Sequence, residues 1–290
     1  MSIIIIGASG FLGGKLYSTF KKLQPKKDII GTYMNKSIDG MMPLDITDES
    51  SFNKLLEKLP SPAELVIHTA ALSNVDYCEL HQEEAWKINV LGTQNVTKKF
   101  GCPIIFVSTD FVFNGKRGNY SEDDTPNPIN HYARTKLEGE KIIRENCPKH
   151  IIIRVAVLYG KSDVKKNFIS WVIKELGAGR SISVVTDQVV SPTLIDDIAL
   201  GMHTLVKKKK QGTFHLCGSQ ALSRYEMALS IAEAFDLDNE LITPIISSEL
   251  RQAAKRPADS SMSIKKIERL GIKMSSFHDG IRRMKEQMKA

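Results

Sequence analysis

The sequence predicts an α/β fold: a doubly wound parallel sheet with a smaller, discontinuous C-terminal substrate lobe. Three observations lead there. Apolar runs at 2–6, 64–68, 103–109 and 150–158 have the continuous character of strands buried on both faces. Helical patterns separate them, as crossovers between parallel strands require. The first run leads directly into Gly7-Ala8-Ser9-Gly10-Phe11-Leu12-Gly13-Gly14 and then into a helical pattern through Leu23. Strand, glycine turn and helix in that order make the arrangement Rossmann-like, with the helix N-terminus presenting N–H groups and its dipole to an anion.

Each element can be justified in turn. The glycine spacing is G-x-x-G-x-x-G, a departure from the commonest dinucleotide fingerprint, and in isolation it would be no more than a tight turn. A second strand is expected at Asp28–Tyr33. An acid that would read a ribose hydroxyl is missing after it, and Tyr33-Met34-Asn35-Lys36-Ser37 is polar and cationic instead, which suits the extra phosphate of NADP better than NAD. Lys36 would equally serve as a plain surface residue. Leu44-Asp45-Ile46-Thr47-Asp48 reads as a short edge followed by a helix cap at Thr47 or Asp48.

The third strand, Glu64–His68, ends in Thr69-Ala70-Ala71, whose small side chains allow a ligand to approach the backbone. His68 reads as a satisfied buried histidine. One long helix is expected over about 83–100, including Asn89, and the fourth strand delivers Ser108 and Thr109 to the same edge. Ligands of open parallel sheets bind beyond the carboxyl ends of the strands, so Gly7, Thr69 and Thr109 share one rim. The loop from Phe111 to Asn130, with Gly115, Gly118, Pro126 and Pro128, is long enough to be functional.

Beyond the fifth strand the alternation weakens. Helices are expected at 165–177, 194–206, 224–235 and 277–288, and strands at 182–185 and 213–217. Residues 1–160 therefore form a dinucleotide-binding domain to which 187–217 return, while 161–186 and 218–290 form the substrate lobe.

At 290 residues, with 42% hydrophobic and 25% charged residues, the chain has the composition of a soluble globular protein. No apolar run approaches the roughly 18 residues of a membrane span. Cys78, Cys102, Cys147 and Cys217 are widely spaced without a CxxC pair, which indicates neither zinc nor a disulfide framework and fits a reducing cytoplasm. The net charge of +7 is scattered, and its one block, Lys207–Lys210, ends a helix where cations suit the dipole, so nucleic acid is not an expected partner.

Tyr132 and Lys136 lie one turn apart on the helix that follows Pro128. A neighbouring ammonium favours the phenolate and would draw a tyrosine pKa of about 10 downward, as proton transfer requires. By itself the pair fits equally well a partly buried Tyr covered by a snorkelling Lys. The surrounding motifs supply context.

Gly7-Ala8-Ser9-Gly10-Phe11-Leu12-Gly13, Asp45-Ile46, Thr69-Ala70-Ala71, Asn89, Ser108-Thr109-Asp110-Phe111-Val112-Phe113 and Tyr132-x-x-x-Lys136 together resemble the extended short-chain dehydrogenase/reductases. The Ser-Thr-Asp-Phe-Val-Phe run, Asp187-Gln188 with Ser191-Pro192-Thr193, and Arg256-Pro257 more narrowly resemble dTDP-4-dehydrorhamnose reductases. The resemblance implies NADPH, with NADH also allowed, and a nucleotide-sugar substrate. Tyr132 would be the general acid, Lys136 would tune it and hold the nicotinamide ribose, and Thr109 would hydrogen-bond the carbonyl. Gly7, Ser9, Gly10, Phe11, Leu12 and Gly13 would approach the pyrophosphate, Lys36 the 2′-phosphate, and Asp45 and Ile46 the adenine. Thr69, Ala70 and Ala71 would line the cofactor, and Asn89 would join the proton relay.

Two departures accompany the resemblance. Arg154-Val155-Ala156-Val157-Leu158 lacks the aromatic that such reductases commonly carry there. The first helix has Lys15 and Lys21 where some relatives place magnesium-binding glutamates at a dimer contact, so no metal is expected and a homodimer is left open. Gly212-Thr213-Phe214-His215, Tyr225-Glu226-Met227-Ala228 and Ala232-Glu233-Ala234-Phe235 also resemble the regulatory β subunit of methionine adenosyltransferase. That resemblance implies an alternative, a nucleotide-holding subunit that regulates another enzyme. Met227, Ile231 and Phe235 would in either case face a core.

Overall fold

The computed structural model describes residues 1–35, 37–161 and 167–289. Its first half alternates β1 (Ser2–Ile6), α1 (Phe11–Leu23), β2 (Asp28–Tyr33), β3 (Met41–Pro43), α2 (Glu49–Glu57) and β4 (Ala63–His68). There follow α3 (Val75–Leu80), α4 (Gln82–Trp86), a π-helical turn (Lys87–Leu91), α5 (Gly92–Lys99), β5 (Ile104–Thr109), α6 (His131–Asn146) and β6 (His150–Val155). The helix expected over 83–100 is thus three segments, with Asn89 on the π turn. The fifth strand stops at Val155, and β7 (Leu158–Tyr159) leaves the main sheet to pair with β10 (Thr193–Leu194).

The second half adds α7 (Phe168–Gly177), β8 (Ile182–Val185), β9 (Val189–Val190), α8 (Ile195–Lys207), β11 (Gly212–His215), β12 (Leu222–Ser223) and α9 (Arg224–Phe235). It closes with β13 (Ile242–Ile245), α10 (Lys265–Glu268) and α11 (Phe277–Lys289). The main sheet runs β11-β6-β5-β4-β1-β2-β3, entirely parallel, and among the described residues three two-stranded sheets lie outside it.

Residue alternation along the strands divides the core in two. Ile3, Ile5, Leu65, Ile67, Ile105, Ile151 and Ile153 pack with Leu12, Leu16 and Phe20 of α1 and with the inner face of α8. Ile4, Ile6, Val66, Ile104, Phe106 and Ile152 pack with α2, α5 and α6. Both faces of each central strand are therefore covered, which explains their apolar runs. A separate cluster, including Val172, Val184, Met227, Ile231 and Phe277, holds the smaller lobe together. Phe235 is only half-buried, with the Lys285 ammonium 5.6 Å from its ring.

A strap over residues 254–263 joins the two halves. Tyr120 N–H donates to Ser261 O (2.9 Å) and Ser263 N–H to Tyr120 O (2.8 Å), while Asp259 N–H donates to Gly115 O (3.0 Å). On its other side Val189 N–H donates to Ala258 O (2.7 Å) and Ser260 N–H to Val189 O (3.0 Å). Arg256 adds a bidentate pair with Asp76 of α3, both contacts 2.6 Å.

Candidate functional site

The glycine loop is shaped by contacts that exclude side chains. Gly7 has φ +83°, and a Cβ there would lie 2.8 Å from Ala70 N and 3.0 Å from Thr69 Oγ1. A Cβ on Gly13 would overlap the carbonyl of Gly7. Gly10 N–H donates to Gly7 O (2.9 Å), Gly7 N–H to Thr32 Oγ1 (3.2 Å) and Ser9 N–H to Thr32 O (3.3 Å), so β2 braces the turn. Helix α1 starts here with no side-chain cap and no acid in its first turn. This bare, positive end fits a phosphate group. Ser9 and Phe11 are half-buried at the loop, whereas Leu12 points into the core.

Thr69 continues β4 beside this loop, its hydroxyl donating to Ile6 O at 2.8 Å, and Ala70 and Ala71 follow as half-buried small residues. Asp45 accepts from Thr47 N and Oγ1, both 2.8 Å, and so orders its own turn. Ile46 is buried against Gly92, where a Cβ would meet its Cδ1 at 2.7 Å. Lys36 lies outside the described residues. Asn89 is a buried clamp: its Oδ1 accepts from Leu72 N (2.8 Å), and its Nδ2 donates to Leu72 O (3.0 Å) and Thr135 Oγ1 (2.9 Å). It thereby ties the segment after Ala71 to the helix bearing Tyr132.

Helix α6 begins where Asn130 caps Ala133 N at 2.9 Å, and Asn130 Nδ2 also reaches Lys255 O of the strap at 2.9 Å. The Tyr132 phenol faces Thr109, Asp110 and Cys78. Burial and then the Asp110 charge push its pKa up, and the Thr109 hydroxyl opposes them. The expectation was that Lys136 would draw this phenol down. Instead the buried Lys136 ammonium lies 4.0 Å from the centre of the Phe106 ring. Its own pKa is lowered to about 7 by burial, with Glu140 pulling the other way. At rest the phenol therefore holds its proton.

Four residues to which the motifs gave no role surround Tyr132 and Lys136. Asp110 is buried and accepts from Thr109 Oγ1 (3.0 Å) and Ser260 Oγ (2.5 Å), and burial raises its pKa to about 6. Arg224, at the start of α9, lies within the fields of Asp110 and Arg256, its guanidinium 5.3 Å from the Phe168 ring. Beneath Lys136, buried Glu140 pairs with buried Arg154. A lone arginine inside an apolar strand must find a partner, and that was the available signal for this last pair. His68 is buried as expected but only half satisfied: its Nε2 meets Thr93 Oγ1 (3.1 Å), its Nδ1 has no hydrogen-bond partner among the described residues, and burial and Lys136 lower its pKa to about 3.

Among the described residues no helix is long and apolar enough to cross a membrane. A family model described as RmlD substrate binding domain matches residues 1–290. The crystal structure of a dTDP-4-dehydrorhamnose reductase from Bacillus anthracis in complex with NADP superposes with a TM-score of 0.88 and 31% identity, covering 99% of this chain and 100% of that one. Methionine adenosyltransferase 2 subunit beta of Danio rerio is 29% identical over 290 residues, 97% of this chain and 88% of that protein. A probable low-salt glycan biosynthesis reductase, Agl14 of Haloferax volcanii, is 31% identical over 294 residues, 97% of this chain and 96% of that protein.

Proposed function

Since the chain belongs to the RmlD substrate binding domain family, we propose that it is an NADPH-dependent reductase of a nucleotide-linked 4-keto-6-deoxy sugar, with dTDP-4-dehydrorhamnose as the first substrate to test. The observation that carries this reading is a buried Tyr132 phenol facing Thr109 at the end of β5. The glycine cradle at α1 lies at the same edge of the sheet.

When bound, the nicotinamide supplies the hydride. The chain's own groups do the rest. Gly7, Gly10 and Gly13 hold the pyrophosphate against the N-terminus of α1, with Ser9, Phe11 and Leu12 completing the loop. Lys36 receives the 2′-phosphate, and Asp45 and Ile46 border the adenine. Thr69, Ala70 and Ala71 line the cofactor's path across the sheet edge. Thr109 donates a hydrogen bond to the carbonyl oxygen, where negative charge grows as carbon is reduced. Tyr132 gives that oxygen its proton. Lys136, poised near neutrality by burial, stabilises the resulting phenolate and holds the nicotinamide ribose. Asn89 keeps α6 and the 70–72 segment in register.

The test is NADPH consumption with dTDP-4-dehydrorhamnose. Tyr132→Phe should lower turnover by about 10²–10⁴-fold, the usual worth of a positioned proton donor, and a variant that retains full rate would overturn the assignment. NADP should bind more tightly than NAD, and Lys36→Ala should narrow the gap; equal affinities in the wild type would remove that claim. A second reading is supported by the similarity to methionine adenosyltransferase 2 subunit beta: a nucleotide-holding regulatory subunit. Tight association with a methionine adenosyltransferase, without turnover of any ketosugar, would establish it instead.

A further inference from the structure

Lys136 has a carboxylate one turn further along its own helix, and that carboxylate is engaged elsewhere. Glu140 is fully buried, and Arg154 of β6, equally buried, takes both its oxygens: Nε donates to Oε1 at 2.9 Å and Nη2 to Oε2 at 2.8 Å. Arg144 adds a partly exposed contact of 2.7 Å to Oε2. Acid and base four residues apart on a helix are placed to pair. Among the described residues no ion pair joins these two, and the ammonium rests on the Phe106 ring. Of the other elements packed around α6, α3 brings Glu79, which is engaged at the start of the helix by His131 N–H at 2.8 Å, and Glu140 is the carboxylate that acts on Lys136. β4 presents His68, held neutral by burial and by Lys136 itself, and β6 presents the Arg154 cation. Asp110 and Cys78 act on Tyr132 rather than on Lys136. Glu140 is thus the carboxylate acting on Lys136, and a planar two-pronged guanidinium is the group suited to occupying it.

We propose that Arg154 is a positioning residue: by engaging Glu140 through both oxygens, it keeps that carboxylate from capturing Lys136 and leaves the ammonium available to Tyr132 and the cofactor. This rests on the reductase reading of Lys136. Without Arg154, Glu140 keeps only the partly exposed Arg144 contact and becomes a buried, under-neutralised anion one helical turn from the Lys136 ammonium. Lys136 then turns toward it, away from the site, and holds its proton more tightly.

The experiment is a titration of the Lys136 ammonium by NMR on lysine-labelled protein, its signal assigned by loss in Lys136→Met, alongside NADPH turnover. Arg154→Met keeps the side-chain bulk without the fork. It should raise the Lys136 midpoint by about 1–3 pH units, the usual effect of a nearby opposite charge. Turnover should drop about 100-fold, as expected when a reacting group is displaced by an ångström or so. Glu140→Gln should move the midpoint the other way, and Glu140→Gln/Arg154→Met should restore both midpoint and turnover toward wild type. An unmoved midpoint in Arg154→Met, or a folded double variant as inactive as Arg154→Met, would overturn the proposal. Should Arg154→Met not fold, Glu140→Gln decides, because a midpoint that stays or rises there is equally fatal. The titration is read without substrate, so a wild type that turns over no ketosugar would sink the reductase reading while the role of Arg154 is still tested.

Discussion

At the scale of single residues, Asp110 gives the sharpest electrostatic prediction. Its folded pKa of about 6 stands above the ordinary carboxylate value of 3.8, because burial outweighs the hydrogen bonds from Ser260 and Thr109. The folded chain therefore binds the Asp110 proton more tightly than the unfolded chain does. The stabilisation this provides is complete below pH 3.8 and is lost as pH rises through about 6. Asp110→Asn should flatten the stability curve across that window, measured by denaturant melts at several pH values, and an unaltered slope would refute the assignment. The same variant removes a charge that pushes Tyr132 up, so the basic limb of the rate profile should move to lower pH. The placement of Thr109 at a strand end and of Tyr132 and Lys136 one turn apart on a helix was legible because both are local facts. The state of Asp110 was not, since its partner Ser260 lies 150 residues away.

At the scale of elements, α6 depends on its first turn. Asn130 both caps the helix and reaches the carbonyl of Lys255. Asn130→Ala should cost about 1–2 kcal/mol from the lost cap, read from chemical denaturation, and should lower turnover as Tyr132 loses its fixed position. No change in either would show that the cap is dispensable. The boundaries of β1, β2 and α1 followed directly from apolar runs and the glycine loop, because burial on two faces leaves a continuous signature. The π-helical turn did not, since a period of 3.6 residues fits the flanking segments and one widened turn barely disturbs it. Its cause is visible only in three dimensions, where Asn89 points inward to clasp Leu72 and Thr135 at once.

At the scale of the whole molecule, the parallel sheet and the smaller lobe beside it were anticipated by the α/β alternation, whereas the strand order is visible only in three dimensions. The short pairs β7–β10, β9–β12 and β8–β13 were partly hidden, because two to four residues carry little periodicity. The strap was invisible in the sequence, and Gly115 is where it presses closest on the loop. That glycine has φ +77°, and a Cβ would sit 2.5 Å from Pro257 Cβ and 2.6 Å from Ala258 N. Gly115→Ala should therefore destabilise the chain by at least about 2 kcal/mol through backbone strain and overpacking, with proteolysis first attacking the 111–130 loop. A variant as stable as wild type would show that this contact yields easily. The strap also has a consequence for the order in which the protein matures. On a ribosome the first 160 residues emerge with six of the seven strands of the main sheet, yet the loop leading to Tyr132 waits for His215 to meet Glu122 and for residues 254–263 to supply its backbone partners. A nascent chain can thus form its glycine-lined sheet edge well before the strap fixes the loop that leads to Tyr132.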